Sequence, residues 1–393
     1  MVRCPAANGG RLTTLESVLD RYYRHHVARG ERIEMTRLRA AVVGLDHYHA
    51  TGWVESLGYF DDRLEIVALY DPNAELGRSL RPTFSDPHLS AEFPGFFRSL
   101  PFYSDLDSLV REVRPDLAVV TLLNHAAPGA VELLARAGVH ILVDKPGART
   151  AAEARTAFDA ARTAGVKVAV GLGKRHAPVW RDVRALIGSG RLGRLFSAEA
   201  VYVTSSVRVR DPRNFLFQHA LSGGGILHWL AIHDLDALLW LTGDRVVEIQ
   251  ALAGTVNGEA IDVEDTISAT LRLASGAIVT LHYAYALPRR GGEGYLAFRG
   301  SGGSIRVPSG GSLEWMGPGD RLDPLAARQT GYSLMEARGY GTAGIYIIGD
   351  WLDAIAENRE PLGTGEDLVR ALEVIEAIYA AARSGRRVQF PGG

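Results

Sequence analysis

The feature that most narrows the fold is a series of short strands, apolar on both faces, that alternates with helical segments from residue 38 onward. Leu38-Arg39-Ala40-Ala41-Val42-Val43-Gly44 is β-branched toward its end and stopped by glycine, the pattern of a buried strand. A helix over about 49–56 follows, then a second strand Leu64–Asp71 closed by Pro72, a helix at 74–81 and a loop rich in Pro and Phe over 82–103. Residues 104–113 read as helix, Leu117–Thr121 as a third buried strand, 128–137 as an amphipathic helix and Val139–Lys145 as a fourth strand stopped by Pro146. A helix at 151–164 and a strand at 166–171 complete the series. Strands with no polar face need cover on both sides, and their alternation with helices implies parallel order. The expectation is a doubly wound α/β unit that takes ligands beyond the carboxyl ends of its strands. Gly44, Asp71, Thr121 and Lys145 all fall at such ends.

After about residue 195 the pattern changes. Thr266–Leu273 alternates, with Ile267, Ala269, Leu271 and Leu273 on one face, and Ala274-Ser275-Gly276 turns the chain into a returning strand at 277–283. Further short strands at 295–299 and 304–307, and helices at 345–357 and 366–382, make this half an α+β domain around a large, mostly antiparallel open sheet. A chain of 393 residues suits two domains. The expected division is a Rossmann-type domain over 35–147 and a substrate and oligomerisation domain over 148–393. Residues 1–34 are arginine-rich, with a short amphipathic stretch at 15–27, and Met35 stands just before the first strand. They read as an extension, or as preceding the true start.

Bulk properties narrow the partners. A net charge of −2 gives no basis for nucleic acid or an anionic membrane surface. No apolar run approaches the roughly 20 residues that span a bilayer. The single cysteine, Cys4, permits no internal disulfide and suits a reducing, cytoplasmic compartment.

The turn after the first strand, Gly44-Leu45-Asp46-His47-Tyr48-His49, keeps only the first glycine of a G-x-G-x-x-G fingerprint. Its context is the stronger signal: strand, turn, helix, second strand, then Asp71. A carboxylate there would accept from the adenosine ribose hydroxyls and repel a 2′-phosphate, which predicts NAD rather than NADP. Gly44, Leu45, Asp46 and His47 are the expected cofactor contacts. Asp46 reads as the cap of the following helix. His47 and His49 lack an evident third ligand and read as turn residues, so no metal is expected.

Lys145 sits between a buried strand and Pro146. Proline holds the preceding residue extended, so the amine is aimed rather than free. The second constellation is Ser222-Gly223-Gly224-Gly225-Ile226-Leu227-His228-Trp229-Leu230-Ala231-Ile232-His233-Asp234-Leu235-Asp236. Glycines opening an apolar helix bring backbone close to something, and His233 and Asp236 share a face. Oxidising an alcohol needs a base for its proton, a task suited to histidine, and a neighbouring ammonium would stabilise the alkoxide. His233 and Lys145 are therefore the catalytic candidates, while His228 points elsewhere around the helix.

With these residues in view, the chain from about Arg39 to Val388 resembles the glucose–fructose oxidoreductase / inositol dehydrogenase / MocA (Gfo/Idh/MocA) family. Asp144-Lys145-Pro146 is similar to its E-K-P motif, and Gly171–Gly193, with Arg175 and Pro178, to its linker into the second domain. The segment from Gly223 resembles its G-G-G-x-L-x-D-x-G-x-H-x-x-D stretch. The resemblance implies a Rossmann domain, a second domain that often forms dimers or tetramers, a tightly held nicotinamide cofactor, and a sugar, cyclitol or related polyol substrate. It implies Lys145 beside nicotinamide and substrate hydroxyl, Asp144 and Asn124 at the cofactor, His233 as base, and Arg175 and Trp229 on the substrate side. Asn124 is preceded by Leu122-Leu123 where the family has threonine and proline, and Ala127 stands where it has histidine. Trp229 replaces an aspartate and Ala231 a glycine. A tryptophan offers a stacking wall and one N–H in exchange for a carboxylate. Two other readings stay open: a sugar lyase or glycosidase that oxidises its substrate transiently with bound NAD, and a catalytically silent dinucleotide-binding protein.

Overall fold

The computed structural model describes residues 37–47, 49–79, 95–310, 312–318 and 341–390. The expected N-terminal extension lies outside these residues, as does most of the Pro- and Phe-rich loop.

The first sheet has six parallel strands in the order β3-β2-β1-β4-β5-β6, formed by β1 (Leu38–Val43), β2 (Leu64–Tyr70), β3 (Phe102–Tyr103), β4 (Leu117–Val120), β5 (His140–Val143) and β6 (Val168–Val170). Between them run α1 (Ala50–Leu57), α2 (Ala74–Ser79), α3 (Leu106–Val113), α4 (Ala127–Arg136) and α5 (Ala151–Ala164). The period of two explains why the strands are apolar throughout. Ala40 and Val42 enter one core with Trp53, Val54 and Leu57 of α1. Ala41 and Val43 enter another with Leu109 of α3 and Val131 and Leu134 of α4. Strand order reverses direction between β1 and β4, which opens the crevice at their carboxyl ends.

After α6 (Pro178–Gly188) comes the second sheet, eight strands in the order β13-β12-β11-β7-β10-β9-β8-β14. These are β7 (Leu195–Ser205), β8 (Val246–Gly254), β9 (Thr266–Leu273), β10 (Ile278–Leu287), β11 (Gly292–Gly300), β12 (Gly303–Pro308), β13 (Glu314–Met316) and β14 (Val388–Gln389). All its pairings are antiparallel except β7 with β10. As expected, Ile267, Ala269, Leu271 and Leu273 face the core while Ser268, Thr270 and Arg272 are exposed. The buried face packs on α7 (Ile232–Thr242) and α9 (Gly365–Ser384).

Two elements follow the cores rather than the expected division at 147/148. Strand β6 pairs with β5 and completes the first sheet, because its apolar Val168-Ala169-Val170 continues the two-sided burial. Helix α8 (Gly341–Ala356) returns to that sheet and seats Ile347, Ile348, Trp351 and Leu352 in the core of α1.

Candidate active site

The turn after β1 is built around its glycine. Gly44 has φ +102°, and a Cβ there would lie 2.5 Å from the backbone nitrogen of Leu122, so only glycine lets the β1 and β4 loops meet. The Thr121 hydroxyl donates to the Gly44 carbonyl and locks that approach. Asp71, buried at the end of β2, organises the turn: Oδ2 accepts from Leu45 N at 2.8 Å and Asp46 N at 3.3 Å, and Oδ1 accepts from Asn73 N at 2.9 Å. Burial raises its pKa, and the three backbone donors oppose that rise. Asp46 is not the helix cap expected of it. Helix α1 begins at Ala50 with His49 at its N-cap and no side-chain cap, because Ala50 N donates to the His47 carbonyl and the turn closes through backbone.

The two histidines of the turn are drawn to the end of β5. His49 Nδ1 and Asp144 Oδ2 lie 2.7 Å apart, and His47 Nδ1 lies 3.8 Å from the same oxygen. The imidazoles hold the buried Asp144 carboxyl well below the usual carboxylate range against an opposing desolvation, its largest single influence. This supplies the third group that the sequence did not reveal: His47, His49 and Asp144 offer ligand atoms within 4.8 Å of one another. The nitrogens facing the carboxylate are nevertheless committed. His47 Nδ1 accepts from His49 N at 3.0 Å, and His49 Nδ1 bonds the carboxylate. The one lone pair of His47 Nδ1 is thus on His49 N and His49 Nδ1 carries a proton toward the carboxylate, so a metal ion at these two atoms would displace both bonds.

Lys145 is 3% exposed, and its Nζ donates to the Trp229 carbonyl at 2.9 Å. Burial lowers its pKa to about 8, with Asp144 opposing the shift. The ammonium also lies 5.5 Å from the centre of the Trp229 ring. Trp229 belongs to a π-helical turn, Leu227–Ala231, that leads into α7. Such turns place side chains out of α-helical register and recur at functional sites. His47 stacks on the indole at 5.7 Å and 16°, and Phe215 meets it edge-on at 5.4 Å. The stacking wall expected for a ligand is thus shared with protein rings.

The glycine run is explained by what lies against it. A Cβ at Gly223 would lie 2.7 Å from Arg149 Cα, at Gly224 2.3 Å from the Tyr379 hydroxyl, and at Gly225 1.9 Å from the Glu264 carbonyl oxygen. Glu264, just before β9, accepts from Gly225 N at 2.9 Å, Leu227 N at 3.0 Å and the Tyr379 hydroxyl at 2.8 Å. A buried carboxylate thus receives the free N–H groups of the segment that becomes the π-turn. The Glu264-Asp265 pair at the start of an alternating strand was the available signal, and it was missed. The Asn124 amide donates to the Ser222 carbonyl at 2.6 Å and ties the β4 loop to the same run.

His233 stands one turn beyond Trp229 and is half-buried. Burial, then the positive charges of Lys145 and Lys174, push its pKa well below the ordinary histidine range, so the ring is neutral at physiological pH. His228 is a core residue, its Nε2 3.0 Å from the Ala148 carbonyl, on another side of the helix as expected. Lys174, which sequence reading passed over, pairs with Asp234 at 3.1 Å, and Asp234 also accepts from the Tyr283 hydroxyl.

Arg175 is not brought to this group. Its guanidinium holds Asp236 through Nε at 3.0 Å and Nη2 at 2.7 Å, meets Asp367 at 3.0 Å, and donates to the Leu362 carbonyl at 3.2 Å. Asp236 is committed there too, so the helix face expected to join it to His233 divides between two networks.

Comparison with known proteins agrees with this geometry. Residues 38–172 match the model of an oxidoreductase family with an NAD-binding Rossmann fold, and residues 180–306 match the GFO/IDH/MocA C-terminal domain. The chain is 28% identical over 333 residues to a 1,5-anhydro-D-fructose reductase of Ensifer adhaerens, covering 84% of this chain and 92% of that protein. It is 26% identical over 362 residues to a D-apiose dehydrogenase of Paraburkholderia graminis, covering 90% of each. The fold is shared with the WlbA dehydrogenase from Bordetella pertussis in complex with NADH and UDP-GlcNAcA, at TM-score 0.79 and 22% identity, covering 92% of this chain and 100% of that one. The chain belongs to the GFO/IDH/MocA family of oxidoreductases, and its first domain is the family's NAD-binding Rossmann fold.

Proposed function

We propose that this chain is an NAD-dependent dehydrogenase or reductase acting on a sugar, cyclitol or related polyol or ketone, with Lys145 and His233 at the reacting carbon. The observation that carries the reading is the Lys145–Trp229 bond. It fixes a buried ammonium at the carboxyl end of β5, one helical turn from a neutral histidine.

NAD, when bound, supplies the hydride acceptor or donor. The residues fit it: the crevice at the β1–β4 reversal has the Gly44 turn at its floor, Asp71 on the β2 side and Lys145 on the β5 side. Asp71 takes the adenosine ribose and disfavours a 2′-phosphate, Leu45, Asp46 and His47 line the turn, and Asn124 and Asp144 hold the adjoining loops. In the oxidative direction the hydroxyl proton passes to the lone pair of His233. With that proton held on His233 the carbinol would become a carbonyl, its hydride being what bound NAD would accept. Lys145 keeps N–H groups for the developing alkoxide, aimed by the Trp229 carbonyl.

The lyase and silent-binding readings have nothing comparable in their favour, since the matched relatives are named as dehydrogenases and reductases. The expected homodimer or homotetramer suits the open face of the second sheet, which carries the exposed Leu252. The low cysteine content suits the cytoplasm. Purified protein is tested with NAD⁺ or NADH against polyols and ketoses: NADH formation or consumption supports the reading, and NADH binding without turnover on any of them refutes it.

A further inference from the structure

Two buried donors at the centre of the site bear on the chemistry of the substrate. The Lys145 ammonium makes no ion pair among the described residues, and one of its three N–H groups is used on the Trp229 carbonyl. The Trp229 indole N–H, in a side chain 2% exposed, has no acceptor among the described residues. The neighbouring cations are matched: Lys174 by Asp234, Arg175 by Asp236 and Asp367. Asp144, whose charge Lys145 feels, has Oδ2 committed to His49.

A buried ammonium whose opposing charge is the Asp144 carboxylate it shares with His47 and His49, and a buried N–H without an acceptor, are each unfavourable alone. They lie together, since the ammonium is 5.5 Å from the indole ring. His47 covers an indole face and Phe215 abuts the ring, and the indole N–H is the one polar atom of the side chain left for an acceptor. One group with two acceptor oxygens and a negative charge answers both needs.

We propose that the substrate is a polyhydroxy acid whose carboxylate, on the carbon next to the reacting carbinol, accepts hydrogen bonds from Lys145 Nζ and Trp229 Nε1. The three ammonium N–H groups then serve the Trp229 carbonyl, the reacting oxygen and the carboxylate. Asp144 Oδ1, buried without a partner, is an acceptor for a hydroxyl of the same molecule. The ligand thus brings the negative charge that a carboxylate side chain at position 229 would have supplied. This inference rests on the dehydrogenase reading only for placing the carbinol beside His233.

The test uses the full chain saturated with NADH and titrated calorimetrically with D-gluconate, D-galactonate and D-mannonate, each against its primary amide. NAD⁺-dependent turnover of the same compounds is measured alongside. The expected result is that the best acid binds at least about tenfold tighter than its amide. Trp229→Phe, which keeps an aromatic ring and the carbonyl but loses the N–H, should weaken the acid about five- to tenfold and its amide by a smaller factor. Amides binding as well as acids, no binding of any acid, or an acid affinity unmoved in Trp229→Phe would overturn the proposal. Tighter acid binding without turnover of any compound would uphold it while contradicting the dehydrogenase reading.

Discussion

Lys145 Nζ and the carbonyl oxygen of Trp229 lie 2.9 Å apart, and that bond joins the nucleotide-binding sheet to the helix that carries His233. Side-chain placement on either side depends on the same few ångströms. The π-turn holds the carbonyl out, Glu264 holds the start of the π-turn, and the glycine run lets Glu264 and Tyr379 approach.

Glu264 is therefore expected to matter more for stability than for chemistry. Glu264→Ala leaves two N–H groups and the Tyr379 hydroxyl without their acceptor, a loss of about 3–9 kcal/mol at roughly 1–3 kcal/mol per buried unsatisfied group. Glu264→Gln keeps one acceptor oxygen and should lose about half as much. Chemical denaturation of the two variants gives the comparison. Equal losses would mean the carboxylate does not hold the turn as described.

The pH dependence follows from two shifted groups. His233 is held well below its ordinary range by burial and two lysines, so its proton-accepting form is present throughout the neutral range. Lys145, lowered to about 8 by burial, has its charge below that pH and loses it above. The log of kcat/KM for alcohol oxidation should be flat through neutrality and fall as pH rises through about 8. In Lys145→Arg that alkaline limb should vanish, because guanidinium stays charged. A limb unmoved by Lys145→Arg would assign it to another group.

Arg175 tests the correction to the sequence reading. Removing one partner of a buried ion pair costs about 3–5 kcal/mol. Arg175→Met should therefore lower the melting temperature markedly while KM of the folded enzyme stays within about threefold. A large rise in KM at unchanged stability would restore the arginine to the substrate.

What could be read from sequence was what repeats locally. Two-sided apolar strands marked the first sheet, and strict alternation marked β9 with its buried face. Lys145 stood out because a lysine closing such a strand has no packing reason to be there. Strands β7 and β8 were missed because Phe196-Ser197-Ala198-Glu199-Ala200 and Glu248-Ile249-Gln250-Ala251 alternate but are built largely from poor strand formers, Ala, Ser, Glu and Gln. Strand β7 is also held by a parallel partner about 80 residues away in β10, which no local pattern announces.

The partners inside the site were invisible for the same reason. His49 and Asp144 are 95 residues apart, and Arg175 and Asp236 are 61 apart. Which carboxylate each cation takes is decided by packing. Asp46 was misread because the turn before α1 closes through the His47 carbonyl and imidazole, which take the Ala50 and His49 N–H groups.

The most direct test of the central claim is Lys145→Met, which keeps an unbranched chain one atom shorter and loses the charge. NADH affinity and turnover of the best polyol, ketose or sugar acid are measured on the same preparation. The geometry predicts a Kd for NADH within about threefold of the parent and a kcat lower by about 10²–10⁴. Turnover retained within about threefold would contradict the assignment of Lys145 to the reacting oxygen.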